Sequence, residues 1–377
     1  MKIAYIHSDK KTGTGADCIN DLIVLKLKEH NVNVQSFYPH LTLLDTPINF
    51  KGINNILFFY SLLEKRDKIL ECDIIQGTTY TPLAFMHFLK PVVSHFGSTT
   101  IGFLKAVPRT NSIEKECADI FYALKKADAI SEINLKTLRP LNDIVTIEKY
   151  AAQNADFIIA TSEIVKNDLI ENGIEPKKIE VIHNAIEDYW FNTAEQKFTK
   201  KPSLVFLGRI GEDPFTLKIK GFDRLMYLYQ KFPELNKLSI AMTRNKKLIS
   251  WMKDIIPNHQ VESNTIKTDI PNKLANHAGS ILLLTSRYEG FSLSLIEGMS
   301  QGLIPISFPV GVAPEIIRNG ENGYIVNSIY EAEEKIRELI ANTNLRKKLW
   351  INAKNTVEQF KSEILVHKMI ALYKKIG

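Results

Sequence analysis

Two acidic side chains, Glu289 and Glu297, stand eight residues apart around a short turn that contains glycine. An apolar segment before the turn, 281–284, predicts a buried strand, and the residues after it predict a short helix. The backbone N–H groups of residues 290–292 and the positive end of that helix would favour an anion. Acids beside an anion site are costly unless a ligand with hydroxyl groups, such as a sugar or a ribose, needs them as acceptors. A polar βα turn is the simpler interpretation, so the neighbouring motifs must decide.

Two basic residues of the second half stand at predicted element boundaries. Arg209 lies in Phe-Leu-Gly-Arg-Ile, at the predicted end of a strand, and Lys220 begins Lys-Gly-Phe-Asp, just before a predicted helix. Their guanidinium and ammonium groups suit phosphate oxygens. Without further context, a pair of surface cations is the simpler interpretation. The other segments that enter the comparison are 311–317, 319–326, 181–186 and 90–97.

Composition indicates a folded protein of two domains. The chain has 377 residues, of which 45% are hydrophobic and 24% are charged, and this length suits two α/β domains. The three cysteines, Cys18, Cys72 and Cys117, form no metal-binding or disulfide pattern, which favours a reducing compartment. No segment approaches the ~20 apolar residues of a membrane span. We therefore expect a cytoplasmic protein, with peripheral contact at the inner membrane face as a further expectation.

The net charge of +6 is concentrated in the second half of the chain. Residues 1–190 carry 21 basic and 24 acidic residues (net −3), and residues 191–377 carry 27 and 18 (net +9). There is no basic stripe interleaved with aromatic residues and no nucleic-acid motif. A small polyanion such as a nucleotide diphosphate fits this charge better than nucleic acid does, although solvated surface lysines explain it equally simply.

Strand and helix patterns alternate in both halves, which predicts parallel sheets with helices on both faces. The predicted strands are 2–7, 32–38, 73–76, 92–95, 157–160, 179–182, 203–207, 237–242, 280–285, 304–308 and 323–326. A helix at 112–126 has an apolar stripe whose expected use is core packing. The last helices are predicted at 329–342 and 345–373. The predicted domains are 1–190, a linker at 191–202, and 203–355, with a final helix at 356–377 that packs back on the first domain.

Together and in this order, these motifs resemble glycosyltransferase family 4. The resemblance is dense from Ser203 to Val326 and thinner, but in register, before it. It implies the GT-B fold, with two Rossmann-like doubly wound domains facing each other across a cleft. It also implies a retaining hexosyltransferase that moves a sugar from a nucleotide diphosphate-sugar to a hydroxyl acceptor, in bacterial cell-surface glycan or glycoconjugate synthesis.

The resemblance also assigns roles to single residues. Arg209 and Lys220 match the basic pair that binds the donor diphosphate. Glu297 matches the acid that holds the ribose hydroxyls, and Glu289 matches the acid that faces the donor sugar. His95 matches the cleft histidine near the anomeric carbon and the acceptor. The catalytic candidates are thus Glu289, His95, Arg209 and Lys220, and the remaining donor-binding candidates are Gly13, Gly15, Gly290, Phe291, Ser292, Leu293 and Glu297.

The sequence departs from the family pattern at several positions. The insert 211–219 between Arg209 and Lys220 is long and contains Lys218, so either lysine could bind the phosphate; the Lys-Gly context favours Lys220. Ala185 replaces glycine after Asn184 at the expected hinge. Gly298 replaces alanine after Glu297. The segment 261–266 lacks the glycine expected after the strand that contacts the base, which leaves the nucleotide base open.

The resemblance implies that neither a metal ion nor another cofactor is needed. The expected partners are a nucleotide-sugar donor and a glycan, lipid-linked, protein or small-molecule acceptor. No convincing protein nucleophile is present, which favours a substitution on one face of the sugar, with the leaving phosphate taking the acceptor proton. The donor sugar, the acceptor and the oligomeric state stay open.

Three other classes of function remain as alternatives. A nicotinamide- or flavin-dependent oxidoreductase is disfavoured because Cys18 stands where the third glycine of the dinucleotide fingerprint belongs, and no acid follows the second strand. An epimerase or hydrolase of nucleotide-sugars on the same fold would differ only in the acceptor cleft. A non-catalytic subunit that binds nucleotide-sugar is disfavoured by the presence of Arg209, Lys220, Glu289 and Glu297.

Overall fold

The computed structural model describes residues 1–8, 15–40, 58–192 and 196–376, apart from the Ala16 side chain. The chain divides into two compact units, which we describe separately. Unit 1 comprises Met1–Leu104, Thr137–Glu187 and Phe360–Gly377. Unit 2 comprises Lys105–Lys136 and Asp188–Gln359.

The regular elements alternate as the sequence pattern predicts. The strands are β1 (Lys2–Ile6), β2 (Asn33–Phe37), β3 (Ile74–Thr78), β4 (Val92–Phe96), β5 (Phe157–Ala160), β6 (Ile179–Val181), β7 (Leu204–Arg209), β8 (Lys237–Met242), β9 (His259–Ser263), β10 (Ile281–Leu284), β11 (Ile304–Ser307) and β12 (Tyr324–Ile325). The labelled helices are α1 (Gly15–Glu29), α2 (Arg66–Leu70), α3 (Thr100–Ala106), α4 (Lys115–Lys126), α5 (Arg139–Asn154), α6 (Glu163–Glu171), α7 (Pro214–Ile219), α8 (Phe222–Lys231), α9 (Lys246–Ile255), α10 (Ile270–Ala275), α11 (Leu293–Ser300), α12 (Ala313–Ile316), α13 (Ile329–Ala341), α14 (Thr343–Thr356) and α15 (Ser362–Ile376). Short 3₁₀ turns lie between them, among them Lys267–Asp269 and Val357–Phe360.

Within the described residues, each unit contains a parallel sheet of six strands. In unit 1 the strand order is β2-β1-β3-β4-β5-β6, and in unit 2 it is β12-β11-β10-β7-β8-β9. Every pairing in both sheets is parallel. Apolar side chains of the central strands are buried, as expected when helices cover both faces. The predicted α/β class with two doubly wound sheets is confirmed.

The strand order directs attention to one place in unit 2. The order in which the chain adds strands to the sheet changes side between β7 and β10. Strands β8 and β9 extend the sheet on one side of β7, whereas β11 and β12 extend it on the other side of β10. Ligands of open α/β sheets bind at the carboxyl ends of the strands at such a switch point. Arg209 ends β7 and Glu289 follows β10, so both lie at this edge.

The segment 105–136 belongs to unit 2, whereas the sequence analysis assigned it to a first domain of residues 1–190. The reason is the apolar stripe on α4, whose buried residues include Cys117, Phe121 and Leu124. This face packs against α8 of unit 2. The predicted core-packing role of the stripe is confirmed, but its packing partner could not be read from the order of elements.

The last predicted helix is interrupted. The sequence pattern predicts one helix over 345–373, but α14 ends at Thr356 and α15 begins at Ser362. The intervening turn 357–360 buries Val357 and Phe360, and Ile186 N donates to Phe360 O at 3.1 Å. From Phe360 onward the chain belongs to unit 1, where α15 packs against α1.

No helix within the described residues is both long enough and apolar enough to cross a membrane.

Candidate active site

Arg209 lies at the carboxyl end of β7 with an exposed side chain. Within the described residues its guanidinium makes no hydrogen bond or ion pair. The preceding Gly208 has φ +147°, and a Cβ added there would lie 3.9 Å from Ser294 Oγ in the first turn of α11. The end of β7 therefore approaches the start of α11, and it presents a cation whose hydrogen-bonding groups are available to a ligand.

Lys220 lies on a loop that is held against the loop after β10. Arg287 N donates to Ile219 O at 2.7 Å, and Thr285 Oγ1 donates to Lys220 O at 3.1 Å. Gly221 has φ +58°, and a Cβ added there would lie 1.8 Å from Thr285 O. Only glycine permits this approach of two backbones at this φ. The lysine is thus positioned by a fixed contact between two loops.

We expect Gly221→Ala to lower the free energy of unfolding by at least about 2 kcal/mol, because the new Cβ would push the two loops apart and occupy a left-handed conformation. Gly320→Ala is the matched control. Gly320 also has a positive φ, +74°, but a Cβ added there meets nothing within 4 Å. Urea unfolding of both variants measures the difference. Equal destabilisation of the two variants would show that the loop contact contributes nothing.

The two loops bring Lys220 and Glu289 into contact. Lys220 Nζ lies 2.6 Å from Glu289 Oε1, with 28% of the lysine side chain and 14% of the glutamate side chain exposed. Ser286 Oγ donates to the same carboxylate oxygen at 2.7 Å. The predicted diphosphate-binding cation and the predicted sugar-facing acid therefore form one hydrogen-bonded cluster, in which each fixes the position of the other.

The structure distinguishes the two candidate lysines, Lys218 and Lys220. The Lys218 side chain is buried, and its Nζ donates to Asn134 Oδ1 at 2.7 Å and to Pro108 O at 3.2 Å. The ammonium also lies over the Phe121 ring, 5.4 Å from its centroid. Burial lowers the pKa of Lys218 to about 8. This lysine holds the segment 105–136 to α7, whereas Lys220 faces the Glu289 cluster.

The turn at 290–292 has the backbone geometry of a ligand-binding turn. Ser292, the residue before α11, has φ 77° and ψ 74°, a left-handed conformation that is uncommon outside glycine. Its hydroxyl is buried and has no hydrogen-bond partner within the described residues. Gly311 supports the turn from behind, since a Cβ there would lie 2.5 Å from Phe291 O. A buried hydroxyl without a partner, beside a helix N-terminus, is an unsatisfied group that a ligand can satisfy.

Glu297 lies in α11, one turn into the helix, and is buried. Its Oε1 lies 3.2 Å from Lys267 Nζ, which comes from the 3₁₀ turn after β9. The contact with Lys267 orients the buried carboxylate. Lys267 was not among the sequence candidates, because a lysine in an irregular turn gives no periodic or motif signal.

His95 lies in unit 1, in the buried strand β4, and only 3% of the residue is exposed. Its Nε2 has no hydrogen-bond partner within the described residues. Burial lowers the pKa of His95 to about 4, and the side chain of Asn184 partly opposes this shift. The imidazole is therefore neutral at pH 7 and can donate or accept one further hydrogen bond.

The lowered pKa of His95 makes the free energy of unfolding depend on pH. The unfolded chain takes up a proton at this residue near pH 6.5, whereas the folded protein does so only near pH 4. The contribution of His95 to the free energy of unfolding is therefore fully present above pH 6.5. It falls by about 3 kcal/mol as the pH drops towards 4. His95→Asn should remove that part of the slope. Urea unfolding of the wild type and His95→Asn at pH 4.5 and 7.5 tests this prediction. An equal change in the free energy of unfolding between the two pH values would contradict it. Burial also lowers the pKa of His259 to about 4, but His259 contributes equally to both proteins.

Of the two glycines predicted in the first-half loop, only Gly15 lies within the described residues. Gly15 is the first residue of α1 and is exposed. Gly13 lies outside the described residues. A role for this loop in binding the donor phosphate stays a prediction.

Two family models match adjacent parts of the chain. "Glycosyltransferase Family 4" matches residues 29–188, and "Glycosyl transferases group 1" matches residues 190–356. The chain belongs to the GT-B glycosyltransferases. The second match contains Arg209, Lys220, Glu289 and Glu297, and the first contains His95.

Proteins of solved structure share the fold at low sequence identity. Sucrose-phosphate synthase from Thermosynechococcus elongatus has a TM-score of 0.76 at 13% identity, covering 100% of this chain and 99% of that one. Anabaena HepE, solved in complex with UDP-glucose, has a TM-score of 0.68 at 14% identity, covering all of both chains. An uncharacterised glycosyltransferase of Methanocaldococcus jannaschii is 29% identical over 249 residues. That alignment covers 61% of this chain and about three fifths of the relative.

Within this glycosyltransferase, the residues that the sequence reasoning missed are those that support the loops. Asp223, at the start of α8, receives two hydrogen bonds from Arg287, at 2.7 and 2.6 Å. Both side chains are buried, at 0% and 5% exposure. Arg287 also donates to Lys218 O at 3.0 Å. In the sequence, Asp223 and Arg287 each stand next to a motif, but the sequence does not show that they form a buried pair.

Proposed function

We propose that this glycosyltransferase transfers a hexosyl group from a nucleotide diphosphate-sugar to a hydroxyl acceptor, with retention of anomeric configuration. Four residues carry this proposal, and they lie on the segments that follow strands β7 and β10 of unit 2: Arg209, Lys220, Glu289 and Glu297. They combine cations for a diphosphate with carboxylates for sugar and ribose hydroxyls. UDP is the first nucleotide to test, because Anabaena HepE was solved in complex with UDP-glucose.

The reaction we propose breaks the bond between the anomeric carbon and the phosphate oxygen and forms a bond from that carbon to the acceptor oxygen on the same face. The acceptor proton passes to the leaving phosphate. Lys220 and Arg209 stabilise the negative charge that develops on the diphosphate, and the N–H groups of the 290–292 turn assist them. Glu289, held by Lys220 and Ser286, orients the sugar and does not form a covalent bond to it. This chemistry needs no metal ion.

His95 serves as the acceptor-side residue of the proposal. Its neutral imidazole and unsatisfied Nε2 support a hydrogen bond to a ligand hydroxyl. We place the enzyme in the cytoplasm, with peripheral contact at the inner membrane face, and in bacterial cell-surface glycan or glycoconjugate synthesis. Cell fractionation tests the location, and recovery from an oxidising compartment would contradict it.

The activity test uses tag-free protein in EDTA, a set of nucleotide-sugars and a set of hydroxyl acceptors. The proposal predicts that release of the nucleoside diphosphate depends on the acceptor, and that NMR of the product shows the anomeric configuration of the donor. Equal release without acceptor would indicate a hydrolase. Inverted product, or activity only after a divalent metal is restored, would contradict the mechanism. Binding without any release in the presence of every acceptor would favour a non-catalytic subunit.

A further inference from the structure

Three side chains that can bind metal lie together on the surface of unit 1. His30 follows the last residue of α1, and Glu363 and His367 lie four residues apart on α15. Residues at this spacing share one face of a helix, and the packing of α15 on α1 brings His30 beside them. One ligand atom from each of the three side chains lies within 4.8 Å of the other two.

The three side chains already point towards one another. His30 Nε2 lies 2.8 Å from Glu363 Oε2. The rings of His30 and His367 meet edge to face, with their centroids 5.0 Å apart. A divalent ion that displaces the proton between His30 and Glu363 would find two imidazole nitrogens and one carboxylate oxygen with only small side-chain movement.

Lys26 is a neighbouring cation that contacts Glu363. Its Nζ lies 3.2 Å from Oε1 of Glu363, which is the carboxylate oxygen that does not face His30, and 2.9 Å from Glu29. The charges of this lysine and the two glutamates sum to −1 beside the two imidazoles. The lysine contact also fixes the orientation of the Glu363 carboxylate, as the supporting hydrogen bonds of known metal sites do.

We propose that His30, Glu363 and His367 bind a divalent transition-metal ion, with Zn²⁺ as the representative. Two imidazoles and one carboxylate suit Zn²⁺, Co²⁺ or Ni²⁺, whereas Mg²⁺ and Ca²⁺ prefer sites built from oxygen alone. Three protein ligands leave a further position for water. Since the ligands come from two helices, the ion would link α15 to α1. This role is separate from the proposed reaction, which takes no metal, so either can fail alone.

Calorimetric titration with Zn²⁺ tests the site on tag-free protein that has been stripped of metal with EDTA. The wild type should bind one ion, and hydrogen exchange in α15 should slow when Zn²⁺ is added. We expect His367→Ala and Glu363→Gln each to raise the Kd for Zn²⁺ by at least about tenfold. A visible absorption spectrum of bound Co²⁺ should be lost in the same variants.

His40→Ala is the matched control. His40 forms a comparable ion pair with Glu64, at 3.1 Å, and its side chain is 29% exposed against 28% for His30. This variant should bind Zn²⁺ as the wild type does. The proposal is overturned if the wild type binds no Zn²⁺, if His367→Ala and Glu363→Gln bind it as tightly as the wild type, or if Zn²⁺ leaves exchange in α15 unchanged. Urea unfolding without metal checks that every variant is folded.

Discussion

Lys220→Ala is expected to weaken UDP binding by about 30-fold, equivalent to about 2 kcal/mol. The change removes a charged hydrogen-bond donor from the diphosphate. It also leaves the Glu289 carboxylate without the cation that lies 2.6 Å away, so repulsion of the phosphate adds to the loss. Transfer should slow by about 100-fold, since the same cation stabilises the leaving group. Calorimetry and a transfer assay measure the two effects.

Uridine and a second lysine variant make the Lys220 test specific. Uridine carries no phosphate, so its affinity should be unchanged in Lys220→Ala. Lys247 is an exposed lysine of the same unit that pairs with Asp128, and Lys247→Ala should bind UDP as the wild type does. Unchanged UDP affinity in Lys220→Ala would mean that this lysine does not contact the diphosphate.

Glu297→Ala should weaken UDP and uridine by the same factor, about 10- to 100-fold. The proposed contact is a hydrogen bond from the ribose hydroxyls to a buried carboxylate, and both ligands contain the ribose. Lys220→Ala and Glu297→Ala therefore have different signatures: the first depends on phosphate and the second does not. Competition between the two ligands in a calorimetric titration gives both constants.

Glu333→Ala is the control for the Glu297 variant. Glu333 is a partly buried acid of unit 2 that pairs with Arg337 at 2.8 Å. Its loss should leave both affinities unchanged. A Glu297→Ala protein that loses UDP but retains uridine would assign this acid to the phosphate side of the site, contrary to the proposal.

The fold could be predicted because its signal is local. Short apolar strands and helices alternate along the chain, and parallel pairing follows from that alternation. Where the structure depends on distant contacts, less of it could be predicted from the sequence. The face of α4 carries Cys117 and Phe121 and is apolar in any fold, but only the folded chain shows that it packs against α8. The break between Thr356 and Ser362 has no proline or glycine to announce it.

In the site, too, some features could be predicted from sequence motifs, whereas others depend on distant contacts. Glu289 and Lys220 were visible from motif order, and their position at the β7–β10 switch point follows from the topology. Their direct contact was not foreseeable, because side chains 69 residues apart in the sequence meet only after the two loops join. Asn264, within the segment 261–266 that lacks the expected glycine, has φ 55°. Asparagine tolerates this left-handed conformation better than most residues, so the chain adopts it here without glycine.

The most direct test of the account is a thermal-shift measurement on tag-free protein in EDTA, with UDP, GDP, ADP, CMP, TDP and NAD(P)H. We predict that one nucleoside diphosphate stabilises the wild type without metal, and that the shift disappears in the Lys220→Ala, Glu297→Ala double variant. Stabilisation by NAD(P)H alone, or an equal nucleotide shift in the double variant, would contradict it.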